Sequence, residues 1–275
     1  MLTLGIFHTL KIDRHTSVGL FLTDGNHEVL LPKKYVPKKY EIGDELEVFV
    51  YLDHEHRPVA TTLEPKIYLN EFALLKVNYV NEFGAFMDWG LEKDLFVPYR
   101  EQARPMTAGN YYMIYMYIDE KTNRLVGSSK LNQFLTQDNL QLEEGEEVDL
   151  IVTHITDAGV NVIINEKHRG LIYKNELFEE LRTGDRVIGY IKQLRPDGKI
   201  DVSRQKIGFE KISDFAERIL QELELNDGFL GLHDKSHPDE IKTVLEMSKK
   251  TFKQTIGTLY KQKMIVIKED GIYSV

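Results

Sequence analysis

Two phenylalanines flanking a glycine, Phe83-Gly84-Ala85-Phe86, run into Met87-Asp88-Trp89-Gly90 and are the side chains of this sequence best suited to chemistry. Aromatic rings on strand positions stack on the flat faces of nucleobases, each base adding about 1–3 kcal/mol whatever its identity. Two readings of the pair stand open. The rings either form an exposed platform or belong to a core, because a bulge at Gly84–Ala85 would leave strict alternation undecided. Trp89 either extends the platform or covers the end of a barrel.

Other chemistries find no support. His54-Glu55-His56 lies in a turn without a third ligand nearby, and His233 and His237 are followed by Pro238 in a turn-like context, so no metal is expected. There is no Gly-rich phosphate loop, no Gly-x-Ser-x-Gly elbow and no His-Glu-x-x-His, so neither an enzyme nor a cofactor is expected. Cysteine is absent, which excludes disulfides and thiolate zinc and fits a reducing compartment. No secretory leader is evident, and no run approaches the roughly 18 apolar residues of a membrane span. The expectation is a cytoplasmic protein without a membrane partner.

The 275-residue chain carries a net charge of −9, which alone argues against a nucleic-acid partner. Its distribution is uneven: −3 over residues 1–64, 0 over 65–132, −4 over 133–208 and −2 over 209–275. The least acidic segment is the one holding the aromatics. Local rather than net charge governs binding.

The elements that must position these residues recur. Around Gly19, Gly84 and Gly159 the chain repeats a short apolar pattern, and a second glycine opens a β-rich run at Gly43, Gly109 and Gly184. The intervals are 24, 25 and 25 residues. Three units of common spacing point to tandem domains. Each reads as about five short strands, the pattern of a closed or nearly closed barrel. The middle unit predicts strands over 72–79, 84–88, 95–97, 111–118 and 124–128, with a connection over 99–108 able to carry a short helix. Residues 132–144 read as a linker or short helix. In the fourth strand, Tyr111, Tyr115 and Tyr117 share one face and Tyr112 the other, a stripe that reads mostly as packing.

From Phe209 the period becomes helical. A first helix carries Phe215, Ile219 and Leu223; a second spans 239–247; a third, capped by Ser248, lines one face with Phe252, Ile256 and Leu259. Asp270-Gly271 between two β-rich runs predicts a hairpin. Three helices and a hairpin make a winged helix, whose third helix carries Lys249, Lys250 and Lys253 with Lys261 and Lys263 beyond.

Taken together, these residues resemble the conserved virulence factor B family of Gram-positive bacteria, through Gly84–Pro98 and through Met247–Lys253. The resemblance covers essentially the whole chain. It implies a mainly β multidomain protein: three tandem S1-type oligonucleotide-binding barrels over 1–64, 65–132 and 145–207, and an α+β winged-helix domain over 209–275. It further implies non-catalytic binding of single-stranded RNA and control of gene expression after transcription. The S1-type RNA face carries over as Phe83, Phe86, Asp119 and Arg124 in the middle unit. The usual strand-three histidine is replaced there by Val97. The first unit keeps Phe21 but has Val18 and Leu31 at the other positions. The third has Ala158 and Asn161 for the two aromatics, Tyr173 at the histidine position, and Arg195, Lys199 and Arg204 as added charge. The units rank middle, third, first for RNA contact. The winged helix, through Lys249, Lys250 and Lys253, either adds RNA or duplex contact or docks a protein. The rival expectation is a DNA-binding transcription regulator reading duplex through the winged helix.

Overall fold

The computed structural model describes residues 2–138, 141–177, 180–205 and 214–275. Two compact units are present, Met1–Arg204 and Gln205–Val275. The expected boundary near 207–209 lies outside the described residues.

The first unit contains three five-stranded β modules. The first is built from β1 (Phe7–Thr16), β2 (Gly19–Thr23), β3 (Glu28–Pro32), β4 (Glu45–Leu52) and β5 (Pro58–Thr61). The second uses β6 (Phe72–Asn81), β7 (Gly84–Asp88), β8 (Leu95–Pro98), β9 (Tyr111–Asp119) and β10 (Arg124–Ser128). The third uses β11 (Glu147–Thr156), β12 (Gly159–Ile164), β13 (His168–Tyr173), β14 (Arg186–Leu194) and β15 (Ile200–Ser203). The outer two are closed barrels, zipped by parallel pairs at Leu30–Val59 and at Gly170–Ile200. The middle one is a five-stranded sheet in the order β10-β9-β6-β7-β8. Its edges do not form a ladder, although β8 and β10 pack where Gly127 faces the Val97 side chain. Among the described residues, a 3-10 turn opens the 99–108 connection at Tyr99–Glu101, and another, Leu131–Gln133, overlaps the start of the 132–144 segment.

The repeated glycines have one physical task. Gly19, Gly84 and Gly159 have φ of +151°, +156° and +150°. A Cβ there would lie 2.1, 2.3 and 2.0 Å from the carbonyl oxygens of Leu31, Val97 and Ile172. Only glycine lets the second strand start this close to the third. Ahead of each glycine the first strand bulges, skipping Asp13, Asn78 and Thr153 in the register.

Hydrophobic contacts join neighbouring modules. Trp89 is 3% exposed and meets Phe49 and Tyr51 edge-on, with ring centroids 5.8 and 6.2 Å apart. It therefore covers the junction of the first two modules and is no part of a surface platform. Phe72 and Met113 pack with Ile151 and Ile163 at the next junction, where Arg186 Nη2 donates to the Phe72 carbonyl at 2.8 Å.

The second unit comprises α1 (Asp214–Leu225), β16 (Phe229–Leu230), α2 (Pro238–Leu245), α3 (Lys249–Lys261), β17 (Ile265–Ile267) and β18 (Ile272–Ser274), its sheet ordered β16-β18-β17. Ile219, Leu223, Phe252, Ile256 and Leu259 line its core, so the helical spacing seen in sequence is a burial pattern. The second helix stops at Leu245, short of Met247, because Glu246 turns left-handed at φ +50°. Ser248 caps α3 by accepting from the Thr251 N–H.

Candidate nucleic-acid interface

The turn between β6 and β7 is held by Asn81, whose Oδ1 accepts from the N–H groups of Phe83 and Gly84 at 2.9 and 3.3 Å. This leaves the Phe83 ring at the turn, 65% exposed. The bulge at Asn78 then shifts the phase of β6 and sets Tyr79 opposite Phe86, which itself faces Phe96 on β8. Tyr79 and Phe86 stack at 4.4 Å and 9°, and Phe86 and Phe96 tilt at 5.0 Å and 39°. Val77, Ala85, Met87, Leu95 and Val97 point the other way into the core. The outer face thus carries a three-ring ladder with Phe83 beside it. Phe86 is half-buried within the stack, while Tyr79 is 48% exposed.

A groove of about 410 Å³ runs beside these rings, lined by Phe83, Phe86, Phe96, Lys93 and Arg124 of the second module and by Tyr51 and His56 of the first. Lys93 Nζ donates to the Asp53 carbonyl at 2.7 Å. Burial, and then the charge of Arg124, lowers the Lys93 pKa. Desolvation, then Arg124 and Lys93, lowers that of His56, with Asp53 opposing. The Asp53 carboxylate is engaged by Arg57 at 2.8 Å, and Asp94 accepts from Asn78 at 2.8 Å. The groove therefore gathers basic nitrogens next to aromatic faces, the pairing that a base and its phosphate require.

Asp119 and Arg124 face each other across the β9–β10 hairpin, but only Arg124 lines the groove. Asp119 is 8% exposed and is occupied by Thr122 Oγ1 at 2.7 Å and Arg100 Nη2 at 3.2 Å. Its visible work is to hold the turn that carries Arg124. Nearby, burial and Glu101 push the Tyr117 hydroxyl up to about 12. Of the tyrosine stripe, Tyr112 is buried, Tyr115 and Tyr117 are half-buried, and Tyr111 is exposed.

The same positions differ elsewhere. In the first module Arg14 sits 4.2 Å over the Phe21 ring and is clamped by Glu28 at 2.8 and 2.9 Å, which covers that aromatic. In the third, His154 and Asn161 pair where the middle module has Tyr79 and Phe86. Tyr173 and Arg195 are brought together, Arg195 Nη1 donating to the hydroxyl at 3.2 Å while also pairing with Asp197 at 3.3 Å. Lys199 pairs with Asp197 at 3.0 Å. Arg204 follows Ser203, the register partner of Tyr190, whose hydroxyl is pushed up by its hydrogen bond to Glu147, the Arg204 charge opposing. In the second unit Lys249 is half-buried and donates to the Ser236 carbonyl at 2.8 Å, whereas Lys250 and Lys253 stand exposed.

Tyr79, Phe96 and Lys93 escaped the sequence reading, which weighed His56 only as a metal ligand. Phe96 alternates with buried Leu95 and Val97, a signal that was available. Tyr79 is hidden by the bulge, and His56 belongs to a different module. Among the described residues no cluster of three or more metal-ligating side chains occurs, and no helix is long and apolar enough to cross a membrane.

Tandem five-stranded modules with an aromatic outer face, followed by a winged helix, define a multidomain protein of nucleic-acid-binding folds. An S1 domain model matches residues 4–63, and a CvfB-like winged helix domain model matches residues 217–273. "Uncharacterized protein YitL" of Bacillus subtilis is 32% identical over 275 residues, covering 96% of this chain and 90% of that protein. Conserved virulence factor B of Staphylococcus epidermidis is 29% identical over 244 residues, covering 85% and 80%. A multidomain protein with nucleic acid binding domains from Streptococcus pneumoniae has a crystal structure 25% identical in sequence, covering 99% of both chains at a TM-score of 0.44. The chain belongs to the conserved virulence factor B family.

Proposed function

We infer that the protein binds single-stranded RNA without catalysing a reaction, and that it acts in the cytoplasm on gene expression after transcription. One observation carries this reading. The Tyr79–Phe86–Phe96 ladder and exposed Phe83 border a groove furnished with Lys93, Arg124 and His56. Rings take bases and cations take the phosphates between them. RNA in preference to single-stranded DNA rests on the resemblance to S1-type domains. The segments 1–64, 65–132, 145–207 and 209–275 act as separate binding modules, the middle one leading. Asp119 contributes by positioning Arg124; Tyr173, Arg195 and Arg204 give the third module a subsidiary role.

The test is a fluorescence-anisotropy titration of the full chain with labelled single-stranded RNA, single-stranded DNA and duplex DNA at two salt concentrations. Preference for single-stranded RNA that weakens with salt is expected, and Phe83→Ala with Phe86→Ala should weaken it by about tenfold or more. Unchanged affinity in a folded double variant would sink the stacking role. A second reading, duplex recognition by α3, is favoured by exposed Lys250 and Lys253 and predicts preference for duplex DNA instead.

A further inference from the structure

A second concavity, about 890 Å³, opens between the second and third modules. Arg104, Tyr111 and Lys130 line it from one side, and His154, Asn161 and Arg169 from the other. None of its lining residues is an aspartate or glutamate. That is unexpected in a chain with 44 acidic against 35 basic residues. Elsewhere in the same unit Arg14, Arg57, Arg100, Arg186, Lys192 and Arg195 are all in ion pairs. Among the described residues Arg104, Lys130 and Arg169 have no carboxylate within ion-pair distance; Arg104 has only the Tyr112 ring, 5.5 Å away. Single solvated cations are ordinary on a protein surface. Three converging on one acid-free groove of an acidic protein make a local positive field suited to a polyanion.

The side chains beside those cations suit nucleotides. Tyr111 is 59% exposed and offers a stacking face. His154 and Asn161 occupy the register positions that Tyr79 and Phe86 hold in the middle module. There the third module has replaced a stacking pair by hydrogen-bonding groups, and an asparagine amide can donate to and accept from one base edge. The two grooves are also connected through β6, which sets Tyr79 opposite Phe86 and Lys76 opposite Tyr111. Those positions lie three residue steps apart on the strand, roughly 10 Å.

We propose that this groove is a second site for the same single-stranded RNA, which crosses the aromatic ladder, follows β6 past Lys76 and enters between the second and third modules. The proposal rests on the RNA-binding reading of the ladder. It adds Asn161, His154 and Arg169 to the third module's contribution, beside the Tyr173–Arg195 pair.

The test uses the full chain and two labelled uridine oligomers, one of about 4 and one of about 16 nucleotides, near the limits of a single barrel's site size. Wild type should bind the longer at least tenfold more tightly, because the second groove is filled at high effective concentration. R104A/K130A/R169A should remove that gain, leave the shorter oligomer's affinity unchanged, and reduce the salt slope on the longer by about 2. Arg104→Glu, a single change in an exposed loop, should give the same pattern more weakly and serves if the triple variant is unfolded. Equal affinity of wild type and both variants for the longer oligomer would overturn the second site while leaving the ladder standing. Sensitivity of the longer oligomer to the triple variant but not to Phe83→Ala would retain this groove and remove the ladder reading. Failure of wild type to bind either oligomer overturns both, and tight binding of an acidic peptide in its place would assign the groove to a protein.

Discussion

Phe83 stands free at the β6–β7 turn, whereas Phe86 is held between Tyr79 and Phe96, so truncating them has different costs. Phe83→Ala should lower RNA affinity about tenfold, within the 1–3 kcal/mol of one stacked base, and leave the thermal midpoint unmoved. Phe86→Ala should lower affinity as well but also cost about 1–2 kcal/mol of stability, from two lost ring pairs, measured by denaturant titration. His56 offers a pH signature. Its folded pKa lies below 6.5 because of desolvation and the neighbouring Arg124 and Lys93, opposed by Asp53. The folded state therefore binds this proton less well than the unfolded chain, and stability should fall as pH drops through about 6.5. A phosphate in the groove reverses the local field and raises that pKa. Affinity for a uridine oligomer should accordingly rise between about pH 8 and 5, with the His56 ring resonance titrating higher in the complex than in the free protein. A pKa unmoved by RNA would place the phosphate elsewhere.

At the scale of elements, the glycine that opens the second strand of each module is the most demanding position. Gly84→Ala places a Cβ 2.3 Å from the Val97 carbonyl oxygen at φ +156°. It should destabilise by more than about 3 kcal/mol through strain and clash together, visible as a large drop in the denaturation midpoint of the first unit. Gly257 on α3 is the opposite case. It lies in an ordinary helical turn with nothing within 4 Å of an added Cβ. Gly257→Ala should therefore stabilise the second unit by about 0.5–1 kcal/mol, checked by differential scanning calorimetry. The strands, the glycine contacts and the cap of α3 were legible in sequence because each depends on neighbours a few residues away. The ladder was not. Its register depends on the bulge at Asn78, which alternation alone cannot place.

For the whole molecule, the net charge of −9 is a poor guide to binding, since the acids lie almost entirely outside the two grooves, and Asp94, which lines the first, accepts from Asn78. With about three phosphates neutralised at the ladder groove alone, the affinity of a short oligomer should fall roughly 20-fold between 50 and 200 mM salt, a slope that anisotropy titrations measure directly. A chain ending at Arg204 contains the whole first compact unit and should keep most of its RNA affinity. Loss of all nucleic-acid binding on that truncation would transfer the function to the winged helix. Several weak stacking sites in one chain gain affinity from linkage rather than from any single strong contact.

The modules are written in the order of residues: three repeats marked by Gly19, Gly84 and Gly159, a winged helix marked by its capped, lysine-bearing third helix, and the Phe83–Phe86 run at the centre of interest. These are set by backbone sterics and short periodicities, which adjacent residues encode. Which side chains are free to act is settled by the folding of the chain on itself. It buried Trp89 between modules, engaged Asp119 with Arg100 and Thr122, covered Phe21 with Arg14, and aligned Tyr79 and Phe96 with Phe86. It also placed His56 of one module beside Lys93 and Arg124 of the next. Those outcomes turn on packing and charge pairing between residues distant along the chain, which no local pattern records.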